Sequence, residues 1–65
     1  MNGIQREMRN RNLDAGDLMF SAGISQSTAK NIKSISRKST VDAAEIYKLY
    51  LYLKVPVDEL LNQNY

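Results

Sequence analysis

The side chains able to do chemistry in this 65-residue chain are amides, hydroxyls and cations, gathered between Gln26 and Lys38. There is no Cys and no His. Thiol nucleophiles, imidazole bases, disulfides and the usual zinc ligand sets are therefore absent. The carboxylates, Glu7, Asp14, Asp17, Asp42, Glu45, Asp58 and Glu59, fall near expected helix starts or on polar faces, where they complement a helix dipole or face water. No pairing of nucleophile and base remains, so the chain is expected not to be an enzyme and to carry no metal or cofactor. What Gln26, Ser27 and Asn31 offer is recognition, because an amide both donates and accepts and a hydroxyl can do either. Lys30, Lys33, Ser34, Arg37 and Lys38 are interleaved with them or follow directly.

Charge is unevenly placed along the chain. Residues 1–40 hold Arg6, Arg9, Arg11, Lys30, Lys33, Arg37 and Lys38 against Glu7, Asp14 and Asp17, a balance of +4. Residues 41–65 hold Lys48 and Lys54 against Asp42, Glu45, Asp58 and Glu59, a balance of −2. Such asymmetry suits a polyanion at the N-terminal half and a different task at the C-terminal half. No apolar run approaches the ~20 residues of a membrane span. The N-terminus also lacks the basic-then-apolar order of a signal peptide. A cytoplasmic protein of bacterial or viral style is expected, with no membrane partner.

Five helices can position these groups. Ile4 and Met8, one turn apart, predict helix 1 over about 2–11, ended by Asn12, a residue able to take the left-handed turn. Asp14 and Asp17 form a capping box for helix 2, about 15–22, with Leu13 and Leu18 as a hydrophobic staple. Gly23 supplies a positive φ and Ser25 caps helix 3, which runs from Gln26 to about Ile35. Its apolar positions Ala29, Ile32 and Ile35 turn inward and its polar ones outward. Residues 36–40 form a basic connector. Asp42 and Glu45 predict a capping box for helix 4, with Val41 stapled to Ile46, and that helix continues to Leu53. Tyr50 to Leu53 is β-prone, but its place after a capped helical run assigns it to the helix. Pro56 opens helix 5, up to Leu61. Periodicity predicts Ile4, Met8, Leu13, Leu18, Met19, Ile24, Ile32, Ile46 and Leu60 as core. No internal repeat or low-complexity segment is visible.

The run from Leu13-Asp14-Ala15-Gly16-Asp17-Leu18 through Gly23-Ile24-Ser25-Gln26-Ser27-Thr28 to Ile32 resembles the Cro and phage-repressor (XRE-type) family of helix-turn-helix proteins. Leu53-Lys54-Val55-Pro56-Val57-Asp58-Glu59-Leu60-Leu61 is similar to that family's closing segment, a Leu-Gly-Val-Ser-like turn followed by an Asp-Glu-Leu-Leu helix. The likeness covers about residues 4–61. It implies an all-α, compact five-helix lambda-repressor-like fold, with one helix-turn-helix domain over 1–65, the motif itself at about 14–35 and a polar tail at 62–65. It further implies sequence-specific binding of double-stranded DNA by a small transcriptional regulator of phage or mobile-element type. Residue by residue, it makes Gln26, Ser27 and Asn31 the base-edge readers, as their amide and hydroxyl chemistry allows. Lys30, Lys33, Ser34, Arg37 and Lys38 are then phosphate contacts that fix register. Thr28 could serve either purpose, and Arg6, Arg9 and Arg11 are a solvated face within reach of phosphate. The chain departs from the family at Ala15, where a phosphate-contacting Gln is common, and at Met19, where a small residue is usual.

Helix 4 carries Ile46, Tyr47, Leu49, Tyr50, Leu51, Tyr52 and Leu53 around its circumference. A small domain can cover only one side of such a helix, so Tyr47, Leu51, Tyr52, Val55 and Val57 are expected to form a partner face. A homodimer presenting two recognition helices to a palindromic operator is the expected use. The alternative is a helix-turn-helix scaffold used for protein binding: an antirepressor, an antitoxin-like partner or an inhibitor of a nucleic-acid enzyme.

Overall fold

A helix end leaves backbone groups unpaired, and four of the five described α-helices start with a side chain that accepts from one of them. The computed structural model describes residues 1–38 and 41–65, so Ser39 and Thr40 of the connector lie outside the described residues. Helix α1 (Gly3–Arg11) starts at Asn2, whose Oδ1 accepts the Gln5 N–H at 2.9 Å while Gln5 Oε1 accepts the Asn2 N–H at 3.0 Å. It stops at Asn12, at φ 55°, where the Leu13 N–H reaches back to the Met8 carbonyl at 2.8 Å. This is the bonding of a Schellman turn.

Helix α2 (Ala15–Asp17) begins in the expected Asp14–Asp17 capping box and passes directly into a π-helical turn, Leu18–Ala22. The Gly23 N–H closes that turn on the Leu18 carbonyl at 3.1 Å, with Gly23 at φ 80°. Helix α3 (Gln26–Lys30) follows its cap Ser25, whose Oγ accepts the Thr28 N–H. Helix α4 (Ala43–Leu53) ends at Lys54, held at φ 58°, and α5 (Val57–Leu60) starts after Pro56. The architecture is all-α, and no strand occurs among the described residues. Tyr50 to Leu53 is helical, as expected. No described helix is long and apolar enough to cross a membrane.

Two local expectations are corrected. Helix 3 does not run to Ile35: α-geometry ends at Lys30, a 3-10 turn spans Ile32–Ser34, and Ile35 is extended at ψ 127°. The break is made at Asn31. Its N–H turns to the Thr28 carbonyl at 3.1 Å, while its side-chain amide takes the Ser27 carbonyl at 3.0 Å, the acceptor that a continued α-helix would give to the backbone. The second correction concerns α4. Asp42 caps it through the Ala44 N–H at 2.9 Å, but Glu45 does not return the bond, because its carboxylate is turned toward Ser25.

The buried core is Ile4, Leu18, Ile24, Ala29, Ile32, Ile35, Leu49, Leu53 and Leu60, with Met8, Leu13, Met19, Val41 and Ile46 packed against its border. Leu49 and Leu53 follow Glu45 at four-residue spacing and make one buried stripe on α4. The apolar side chains all around that helix hide this stripe in the sequence. Gly3 lets α1 and α5 meet: a Cβ there would lie 1.9 Å from the Glu59 carbonyl oxygen.

Candidate functional site

Helix α3 packs on the segment formed by α2 and its π turn, and its first turn is bound to α4. Thr28 and Ala29 are buried, as are Ile32 and Ile35 in the turn after it. Gln26, Ser27, Lys30, Asn31, Lys33 and Ser34 are all exposed, and so are Arg37 and Lys38 in the connector. The residues expected to read bases and to contact phosphate thus share the outward surface of one short helix and its continuation. Asn31 has one amide hydrogen committed to the Ser27 carbonyl. That bond fixes the amide plane and leaves its other hydrogen and its oxygen for a partner.

Thr28, expected to touch base or phosphate, is turned inward. It is buried, and its hydroxyl donates to Glu45 Oε1 at 3.1 Å while accepting from Ser25 Oγ at 3.1 Å. Glu45 organises this end of α3. Its Oε1 also accepts the Ser25 N–H at 2.7 Å, and its Oε2 meets Lys48 Nζ at 3.3 Å. The bonds from Ser25 above all, opposed by burial and aided by Lys48 and Thr28, hold the Glu45 carboxyl down at about 2 from an ordinary 4.5. The group is fully charged near neutral pH and binds the first turn of α3 to α4.

At the other end of α3 stands Asn2, wholly buried. While its oxygen caps α1, its Nδ2 donates to the Ile32 carbonyl at 2.7 Å and the Ile35 carbonyl at 3.1 Å. Gln63 Nε2 donates to the same Ile35 carbonyl. Neither Glu45 nor Asn2 is singled out by the sequence for this work. A carboxylate in line with Leu49 and Leu53 was the readable sign for Glu45, and the Asn2–Gln5 spacing of a capping box was the sign for Asn2.

The N-terminal arginines are partly consumed by the fold. Arg6 lies over the Tyr65 ring at 3.8 Å and pairs with Glu7 and Glu59 at 3.3 and 3.4 Å. Arg11 pairs with Glu7 at 3.2 Å and donates at 2.6 Å to the Leu53 carbonyl, one of the unpaired acceptors at the end of α4. Arg9 is exposed. A groove of about 470 Å³ between α3 and the start of α4 is lined by Ser27, Asn31, Asp42 and Glu45 among others, and its two carboxylates disfavour phosphate there.

The expected partner face is divided. Tyr47 and Leu51 are 57% and 53% exposed, Tyr52 and Val55 pack against the core border, and Val57 is half-buried. Phe20, on the π turn, is 93% exposed, a placement that the pattern of a regular helix over 15–22 does not single out. Among the described residues no group of three or more acidic side chains is placed to hold a metal ion. In comparisons with known proteins, no family model, no curated protein and no solved structure matches the chain.

Proposed function

We propose that the chain is a sequence-specific double-stranded DNA-binding protein, a small Cro- or repressor-like regulator of lambda-repressor type in which α2 with its π turn and α3 form the helix-turn-helix. The observation that carries this reading is the division of residues 26–35. Thr28, Ala29, Ile32 and Ile35 are buried, while Gln26, Ser27, Lys30, Asn31, Lys33 and Ser34 face outward from a segment clamped at both ends. Gln26, Ser27 and Asn31 read base edges, and Lys30, Lys33, Ser34, Arg37 and Lys38 engage phosphates. Two copies joined through α4, with Tyr47 and Leu51 at the contact, would set two α3 helices about 34 Å apart for a palindromic operator.

Binding to random and to selected duplexes at two salt concentrations tests the reading. Gln26→Ala/Asn31→Ala should lose sequence preference, whereas Lys33→Ala/Arg37→Ala should weaken all duplexes and flatten the salt slope by about 0.9 per lost contact. No duplex binding at low salt would sink the proposal. A second reading, a scaffold that binds protein, is favoured by the exposed Phe20, Tyr47 and Leu51. Absence of every duplex signal, with the helical fold intact, is the outcome that would favour it.

A further inference from the structure

The C-terminal residues, read from the sequence as a polar tail, are tied down. The Tyr65 N–H donates to the Met1 carbonyl at 3.1 Å and the Met1 amino group to the Tyr65 carbonyl at 2.8 Å. The Tyr65 hydroxyl donates to Glu59 Oε2 at 2.6 Å, Arg6 covers the ring, and Gln63 reaches the Ile35 carbonyl. These bonds hold residues 61–64 opposite the basic connector, and the two together enclose an open cleft of about 440 Å³ lined by Ser36, Arg37 and Lys38 on one side and residues 61–64 on the other.

We propose that this cleft receives a backbone phosphodiester of nucleic acid, gripped by Arg37 and Lys38 from the connector and by the side-chain amide of Asn62 from the tail. The inference rests on the DNA-binding reading and extends its contact surface to a segment that reading does not include. Asn62 Oδ1 accepts the Asn64 N–H at 3.0 Å, which orients the amide and leaves both hydrogens of its NH2 to a ligand. Phosphate oxygens only accept, which matches a lining of guanidinium, ammonium and amide hydrogens.

Position along the chain favours nucleic acid over an acidic peptide. Only Ile35 and Ser36 separate Ser34, at the end of the exposed surface of α3, from Arg37. At ~3.6 Å per residue the cleft is within about 11 Å of that surface, roughly three rises of 3.4 Å along a strand. One carboxylate opposes the ligand: Asp58 Oδ1 sits 3.6 Å from Arg37 Nη2, and both side chains are exposed.

Asn62→Asp and Asp58→Asn test the cleft from opposite directions, in the full chain, with a random-sequence 16-bp duplex and a poly-glutamate peptide as probes at about 50 mM salt. Asn62→Asp should weaken duplex binding about tenfold and equally for all sequences, since it replaces a donor by a like charge while leaving the acceptor that holds Asn64. Asp58→Asn should tighten it about two- to fivefold, a gain that misfolding cannot produce. If wild-type protein binds the duplex and both variants match it, the cleft assignment is overturned and the DNA reading stands. If wild type binds no duplex, the DNA reading itself fails. Peptide binding that is lost in Asn62→Asp while duplex binding is unchanged would assign the cleft to an acidic protein segment and overturn the proposal.

Discussion

The two ends of α3 are held by opposite kinds of chemistry. At its start, the charged Glu45 reaches across from α4 to the Ser25 N–H and the Thr28 hydroxyl. At the end of the turn that follows it, the neutral, buried Asn2 reaches from the start of α1 to the carbonyls of Ile32 and Ile35. A five-residue helix has too few internal bonds to stand alone. The orientation of the proposed reading surface is thus imposed from outside, by one clamp that responds to pH and one that does not.

The largest effect should come from breaking the neutral clamp. Asn2→Ala removes the α1 cap and both buried amide bonds, although the Ile32 carbonyl keeps the Ile35 N–H and the Ile35 carbonyl keeps Gln63, a cost of about 3 kcal/mol. For a domain this small, urea unfolding should show most of the native stability gone. Gly3→Ala strikes the same corner, driving a Cβ into the Glu59 backbone. About 2–3 kcal/mol of destabilisation is expected from overpacking against a main chain that cannot rotate away.

The charged clamp separates itself from the neutral one by pH. The Glu45 carboxyl titrates at about 2 in the folded chain against 4.5 ordinarily. A depressed folded value means that its contribution is complete above pH 4.5 and is lost as pH falls from there toward 2. Glu45→Gln, which keeps an acceptor for Ser25, should flatten the stability profile in that window as followed by circular dichroism. A flat profile in the wild type would contradict the clamp.

The smallest effect lies away from both clamps. Lys54 occupies the left-handed region at φ 58° to end α4. Lys54→Gly relieves that strain and should raise stability by roughly 0.5–1 kcal/mol without altering the proposed duplex binding.

Much of the helical frame was legible because it follows from bonds between near neighbours. Asn12 and Gly23 were readable as left-handed stops, and Asp14 with Asp17 as a capping box, since both patterns close within a few residues. The exposed polar face from Gln26 to Ser34 was readable for the same reason, from the spacing of Ala29 and Ile32. Lys54 was not, because a lysine gives no local sign of positive φ. Nor was the loss of the Asp42–Glu45 box: the pattern is correct, but a more distant partner, Ser25, captured the second carboxylate. Leu49 and Leu53 were obscured by the aromatic and aliphatic residues on the other sides of α4.

Five helix starts, the stops at Asn12 and Gly23, and the residue types on the outward face of α3 follow from neighbours along the chain, since each depends on contacts within about one turn. Packing between distant segments settled that Thr28 would turn inward to Glu45 and that the tail would come back beside Arg37 and Lys38. Those outcomes rest on hydrogen bonds spanning 17 to 64 residues, such as Thr28 to Glu45 and Met1 to Tyr65. Partners so far apart along the chain leave no periodic trace in it, because their meeting depends on how the helices pack.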